Sequence, residues 1–138
     1  MKLAAILACR NQSSRLYAKP LQNLDVKNNI SILDYMIGQI KQNSIIEDIV
    51  LAISKEEENA IYKSIAQKHK VQFVLGDDND VLDRLIKGAE LIKADTIFRV
   101  TTESPYIYID MLPEIYRKHV EEKIDYSVIS GVPDGAFF

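Results

Sequence analysis

The sequence predicts an α/β fold, layered helix–sheet–helix around a mostly parallel sheet. Short apolar runs rich in branched residues alternate with amphipathic stretches of helical period. Near-continuous branched runs suit parallel strands covered on both faces, and their spacing requires right-handed helical crossovers. A long irregular stretch directly after the first run marks the functional end of that sheet.

Leu3-Ala-Ala-Ile-Leu-Ala8 reads as the first, buried strand, followed by the irregular stretch Arg10 to Asn29. Ser31 with Asp34 opens the first helix as a capping box, its buried stripe being Leu33, Met36, Ile37 and Ile40. Asp48 to Ser54 is the second strand. Ser54 with Glu57 opens a second helix that carries Ile61, Ile65 and Ala66 inward. Val71 to Leu75 is the third strand. The acidic turn Asp77-Asp78-Asn79-Asp80 starts a third helix, where carboxylates complement the dipole. Its expected core face is Val81, Leu82, Leu85, Ala89 and Ile92. Thr96 to Val100 is the fourth strand. Asp110 caps a fourth helix with Pro113 in its first turn, and Tyr126 to Ile129 is expected as a fifth strand. Val132-Pro-Asp-Gly135 reads as a turn, with Asp134 as turn chemistry. Ala136-Phe137-Phe138 starts another apolar element, so residues 1–138 are expected to be a single domain and a fragment of something longer.

The 138 residues suit one domain of ordinary size, and 47% hydrophobic content supports a core. A net charge of −3 with mixed signs argues against nucleic acid or anionic membrane as the main partner. The single cysteine, Cys9, excludes an internal disulfide framework and reads as a small buried thiol. The apolar start, Leu3 to Cys9, is too short to span a membrane and has no convincing signal cleavage site, so the cytoplasm is the expected location.

The chemistry concentrates in Arg10-Asn-Gln-Ser13-Ser14-Arg15-Leu16-Tyr17-Ala18-Lys19-Pro20-Leu21. Long loops within compact domains are usually functional or disordered, and open α/β sheets bind ligands beyond the carboxyl ends of their strands. Arginine forks and lysine point charges both suit phosphate oxygens, and the hydroxyls of Ser13 and Ser14 with loop amides complete such a cradle. A solvated basic loop is the plainer alternative. Neither a Walker loop nor a dinucleotide glycine fingerprint occurs.

This stretch resembles the signature of cytidylyltransferases that activate acidic or amino sugars: a strand, then Ala-Arg-x-x-Ser-x-Arg-Leu-Pro-Gly-Lys-x-Leu. That group includes the 3-deoxy-manno-octulosonate and acylneuraminate enzymes. The likeness is nearest to the branch named for spore-coat polysaccharide biosynthesis. Arg10, Ser13, Arg15, Leu16, Lys19 and Leu21 fall at matching positions. Gly76 with Asp80-Val81-Leu82-Asp83-Arg84 resembles a second segment of that branch. Arg99-Val-Thr101, leading to Ser104-Pro105, is placed like the family's Arg-x-Thr-Gly-Asp-x-Pro.

The resemblance implies the three-layer, Rossmann-like nucleotidyltransferase fold of the nucleotide-diphospho-sugar transferases. It implies transfer of CMP from CTP to a sugar hydroxyl for surface polysaccharide, with pyrophosphate leaving. Arg15 and Lys19 would take the triphosphate and carry the catalysis, with Arg10 and Ser13 along the nucleotide. Mg²⁺ would be held by Glu103, which stands where the family has aspartate. A homodimer of the full-length form is also implied. Two departures bear on this: Tyr17-Ala18 replaces Pro-Gly, and Thr102-Glu103 replaces Gly-Asp. They lead to an expectation of weak nucleotide binding, and of no turnover by this chain alone. A degenerate docking or regulatory module and a glycosyltransferase of related architecture are the rival functions.

Of the remaining conspicuous residues, Asp77, Asp78 and Asp80 read as helix capping rather than a metal cluster. His69 and His119 read as dipole contacts near helix ends. Arg84 either approaches the nucleotide or pairs with Asp80. Arg99, in an apolar strand, needs a partner: Glu103, a phosphate, or a structural ion pair elsewhere.

Overall fold

A computed structural model describes residues 1–131 and 136–137. Its strands are β1 (Leu3–Cys9), β2 (Asn23–Asp25), β3 (Ile30–Ser31), β4 (Asp48–Ser54), β5 (Gln72–Gly76), β6 (Thr96–Thr101) and β7 (Ala136–Phe137). Its helices are α1 (Ile32–Lys41), α2 (Ile61–His69), α3 (Val81–Ile92) and α4 (Leu112–Glu121), with 3-10 turns at Lys19–Leu21 and Glu57–Asn59. The main sheet runs β5-β4-β1-β6-β7. Its first four strands are parallel, and β7 pairs antiparallel with β6. The chain winds outward from β1 through β4 to β5, then crosses to β6 on the other side. The strand order therefore reverses beside β1, which is where open sheets bind ligands.

Alternation along β1 builds the three layers. Leu3, Ala5, Leu7 and Cys9 face a cluster closed by α1 through Leu33, Met36, Ile37 and Ile40, by α2 through Tyr62 and Ala66, and by α4 through Leu112. Each such buried aliphatic side chain contributes about 1.5–3 kcal/mol. Ala4 and Ile6 face the opposite way, with Val50 and Ala52 of β4, onto Leu85 and Ile92 of α3. Among the described residues α3 is the only helix here, lying over β1, β4 and β5 and reaching β6 least. Gly88 allows the close approach, since a Cβ there would stand 3.2 Å from Ile6 Cδ1 and Cγ2.

The capping box of α1 forms as predicted. Asp34 N donates to Ser31 Oγ (3.0 Å) and Ser31 N donates to Asp34 Oδ2 (3.2 Å). The start of α2 differs. Ser54 ends β4 instead of capping, and a 3-10 turn intervenes. Ala66 is buried and Ile65 packs against the core as predicted, but Tyr62 takes the inward place expected of Ile61, which is 47% exposed. In α3, Asp80 caps through Asp83 N (2.8 Å). Its inward stripe is set by Leu85, Gly88 and Ile92, which turns Leu82 outward to 66% exposure. Helix α4 opens from Met111 without a side-chain cap, so Asp110 does not serve as one, although Pro113 sits in the first turn as expected. Tyr126 to Ile129 is not a strand. Tyr126 and Val128 are exposed, and the sheet edge beside β6 pairs with β7 instead. The predicted turn Val132 to Gly135, with Asp134, and Phe138 lie outside the described residues.

Candidate nucleotide site

The long stretch after β1 is ordered by short-range structure. Ala18 N donates to Asn11 O (2.8 Å), closing a loop around Gln12 to Tyr17. The 3-10 turn Lys19–Leu21 follows, with Pro20 buried. The β2–β3 hairpin then leads into α1, where Ile32 N donates to Gln22 O. Within the loop, Ser13 Oγ accepts from the amides of Arg15 (3.4 Å) and Leu16 (3.5 Å), shaping the turn that presents Arg15. Ala18 has φ 52°, a left-handed conformation that glycine adopts at little cost and alanine resists.

This loop walls an open cleft of about 690 Å³ at the carboxyl ends of β1 and β6. Arg10, Ser13, Arg15 and Lys19 line it from the loop, Arg84 from α3, and Arg99 and Glu103 from β6 and the turn beyond. Six of the seven predicted site residues thus come together: Arg10, Ser13, Arg15, Lys19, Arg84 and Glu103. Ser14 is exposed and is not among the lining residues. Gln12, Thr101 and Ser104 also line the cleft, although the sequence reading quoted them only within motifs and gave them no site role; single hydroxyl and amide side chains carry no periodic signal to set them apart.

Arg84 is the most constrained of these groups. It is 1% exposed, and Nη1 donates to the carbonyls of Cys9 and Ala52 (both 3.3 Å), tying α3 to the ends of β1 and β4. Of the two readings offered above, no ion pair with Asp80 forms; the Asp80 carboxylate caps the helix instead. Nε is buried without a hydrogen-bond partner among the described residues. Burial draws the guanidinium pKa down, with Asp78 opposing, yet an arginine stays charged. Gly76 explains how so large a side chain fits, because a Cβ there would lie 2.4 Å from Arg84 Cγ.

The acidic turn bears out its structural reading. Asp77 accepts from Asn79 N (2.9 Å) and faces Lys55 (3.4 Å), and Asp78 faces Arg10 (3.7 Å). Among the described residues no group of three or more His, Cys, Asp or Glu side chains could hold a metal by itself. Cys9 is fully buried, and desolvation pushes its thiol pKa up, so it is a core group and not a nucleophile. His69 pairs with Asp34 (2.6 Å) near the end of α2, and His119 Nδ1 meets Ser127 Oγ (2.8 Å). Both histidines lie outside the cleft. No helix of the described residues is long and apolar enough to cross a membrane.

Residues 4–137 match the family profile described as cytidylyltransferase. The chain belongs to the cytidylyltransferase family. It is 27% identical over 134 residues to the spore coat polysaccharide biosynthesis protein SpsF of Bacillus subtilis, covering 94% of this chain and 55% of that protein. A cytidylyltransferase structure from Leptospira borgpetersenii superposes with a TM-score of 0.78 at 26% identity, covering 90% of this chain and 51% of the other. The fold is shared with CMP:2-keto-3-deoxy-manno-octonic acid synthetase solved with CTP, at a TM-score of 0.73 and 16% identity over 90% of this chain and 49% of that one. The chain thus spans about half the length of these relatives.

Against the cytidylyltransferase signature, both departures acquire a physical meaning. Ala18 stands where the signature has glycine and is itself left-handed, a conformation glycine adopts at less cost. Thr102, in place of glycine, is buried and donates to Ala8 O (2.9 Å), so the turn carrying Glu103 is pinned to the end of β1.

Proposed function

We propose that the cleft holds the triphosphate of CTP, and that the protein to which this domain belongs transfers CMP to a sugar hydroxyl during surface polysaccharide synthesis. The observation carrying this reading is the convergence of Arg10, Arg15, Lys19 and Arg84 on one cleft at the switch point of the sheet. With Arg99 these make five cations around one opening, which suits a ligand with about four negative charges, and the spare Nε donor of Arg84 calls for an acceptor. Family membership and the name of the Bacillus relative support the nucleotide and the polysaccharide respectively.

In this reading Arg15 and Lys19 neutralise charge on the phosphates as pyrophosphate departs, while Arg10 and Ser13 hold the chain of phosphates along the loop. Positioning and charge neutralisation supply most of the catalysis of such transfers. Glu103 is the one carboxylate among the described residues that line the cleft. Mg²⁺ is commonly held by one or two carboxylates together with substrate phosphates and water, so this donor set fits. When bound, the ion would polarise the phosphoryl oxygens toward attack.

Calorimetric titration with CTP and MgCl₂ tests the assignment. Arg15→Ala and Lys19→Ala should each weaken binding about tenfold, the loss expected for a charge-assisted hydrogen bond, without lowering the unfolding midpoint. Equal affinity in the parent and both variants would defeat the proposal. Release of pyrophosphate in the presence of a sugar acceptor separates an enzyme from a binding-only module.

A further inference from the structure

The loop that walls the cleft is fastened from behind, by side chains that face away from any ligand. Asn11 N donates to Asn59 Oδ1 (2.6 Å), and Asn11 Nδ2 donates to the carbonyl of Glu58 (2.6 Å). Asn59 Nδ2 donates to Gln12 Oε1 (3.2 Å). One residue back along the loop, Tyr62 Oη donates to the carbonyl of Arg10 (3.1 Å). Asn59 and Tyr62 are buried to 1% and 0% exposure, and Asn11 to 4%. None of the three lines the cleft, whereas Arg10 and Gln12, the loop residues they hold, both do.

We propose that Asn59 is a positioning residue for polyanion binding, setting the backbone of Asn11 and the side chain of Gln12 so that the loop opens toward the cleft; this rests on the triphosphate reading above. The amide of a single side chain serves two successive loop residues, one as acceptor and one as donor. A buried Asn11 amide without its partner would turn to seek another, and the loop closed by Ala18 N on Asn11 O would move with it. Misplacement of a binding group by about 1 Å is enough to cost much of its contribution. Tyr62 acts in the same sense at Arg10. Burial raises its hydroxyl pKa, so it remains a donor.

The experiment compares Asn59→Ala, Tyr62→Phe and, as a control, Ile40→Val, which thins the core far from the loop. Each is titrated with CTP and MgCl₂, and backbone hydrogen exchange is followed across residues 10–19. Asn59→Ala should weaken CTP about tenfold and Tyr62→Phe about threefold, in keeping with the loss of buried hydrogen bonds. Both should speed exchange at Asn11. The control should lower the unfolding midpoint yet keep parent affinity and loop exchange. Parent affinity in Asn59→Ala together with a lowered midpoint would overturn the proposal, because the residue would then be structural only. If Asn59→Ala does not fold, parent affinity in Tyr62→Phe overturns it instead. If the parent itself does not bind CTP, the nucleotide reading fails separately. Loop exchange then decides, and unchanged protection at Asn11 in the variants rejects the clamp.

Discussion

The two faces of the sheet are built to different standards. One is closed by α1, α2 and α4 over a cluster in which Leu3, Leu7, Leu51 and Ile53 are fully buried. The other has, among the described residues, only α3, and beside its small cluster of Ala4, Ile6, Val50, Ala52, Leu85 and Ile92 it takes in a buried arginine. Beyond α3, the strand facing that side offers Arg99 and Thr101 to the cleft. The contrast teaches where function has been accommodated. The face with three helices can hold the fold, and this leaves the face with one helix room for cations and hydroxyls that a full helical layer would have covered.

The sharpest way to break this contrast is Gly76→Ala, on the thin face. The added methyl would meet the stem of Arg84 at 2.4 Å, and that side chain is buried and tied to two strand ends. Overpacking of this kind costs about 1–3 kcal/mol, readable as a lower urea midpoint, and the shift of Arg84 should weaken CTP binding in parallel. An unchanged midpoint would mean that Arg84 is far less fixed than its burial implies.

A smaller effect is expected on the thick face, where Asp34 joins α1 to α2. Burial alone would raise its pKa, but hydrogen bonds from His69, Lys68 and Ser31 outweigh that and hold it at about 2, below the ordinary carboxylate range. A carboxylate depressed in the folded state contributes stability that is complete above its unfolded pKa and is lost as pH falls through the folded one. Acid should therefore cost the fold on the order of 1 kcal/mol between about pH 4 and pH 2, allowing for solvent screening. Denaturant melts of Asp34→Asn over this range should lack that component. A matching decline in the variant would assign the acid sensitivity to other groups.

The smallest effect sharpens the contrast at the loop. Ala18→Gly releases a left-handed residue, and that relief is partly offset by the greater freedom of glycine in the unfolded chain. A net gain of roughly 0.5 kcal/mol is expected, measured as a raised thermal midpoint. A loss would show that the Ala18 methyl packs favourably enough to outweigh its backbone strain.

The thick face was legible in the sequence and the thin one only in part. The residues of β4 and the buried stripe of α1 follow from apolar periodicity and a capping box, both local signals. The same reasoning turned Ile61 and Leu82 the wrong way. In one case the neighbouring Tyr62 takes the inward place, and in the other a buried glycine and arginine occupy positions that hydrophobicity would not select. Arg10, Arg15 and Lys19 were found because they cluster within ten positions of one another, and Arg84 through a separate motif. The ties behind them were not found, since Asn11 meets Asn59 across 48 positions and Arg84 meets Cys9 across 75. Polar contacts at such separations depend on how strands are ordered in space, and no window of sequence contains that order.

Cys9 carries a consequence of its own. It is the only thiol in the chain, it lies at the last position of the central strand, and solvent does not reach it. A sulfhydryl reagent can label the protein only after that strand end has parted from its neighbours. The rate of labelling thus serves as a clock on opening at the edge of the cleft, native to the molecule and needing no introduced probe.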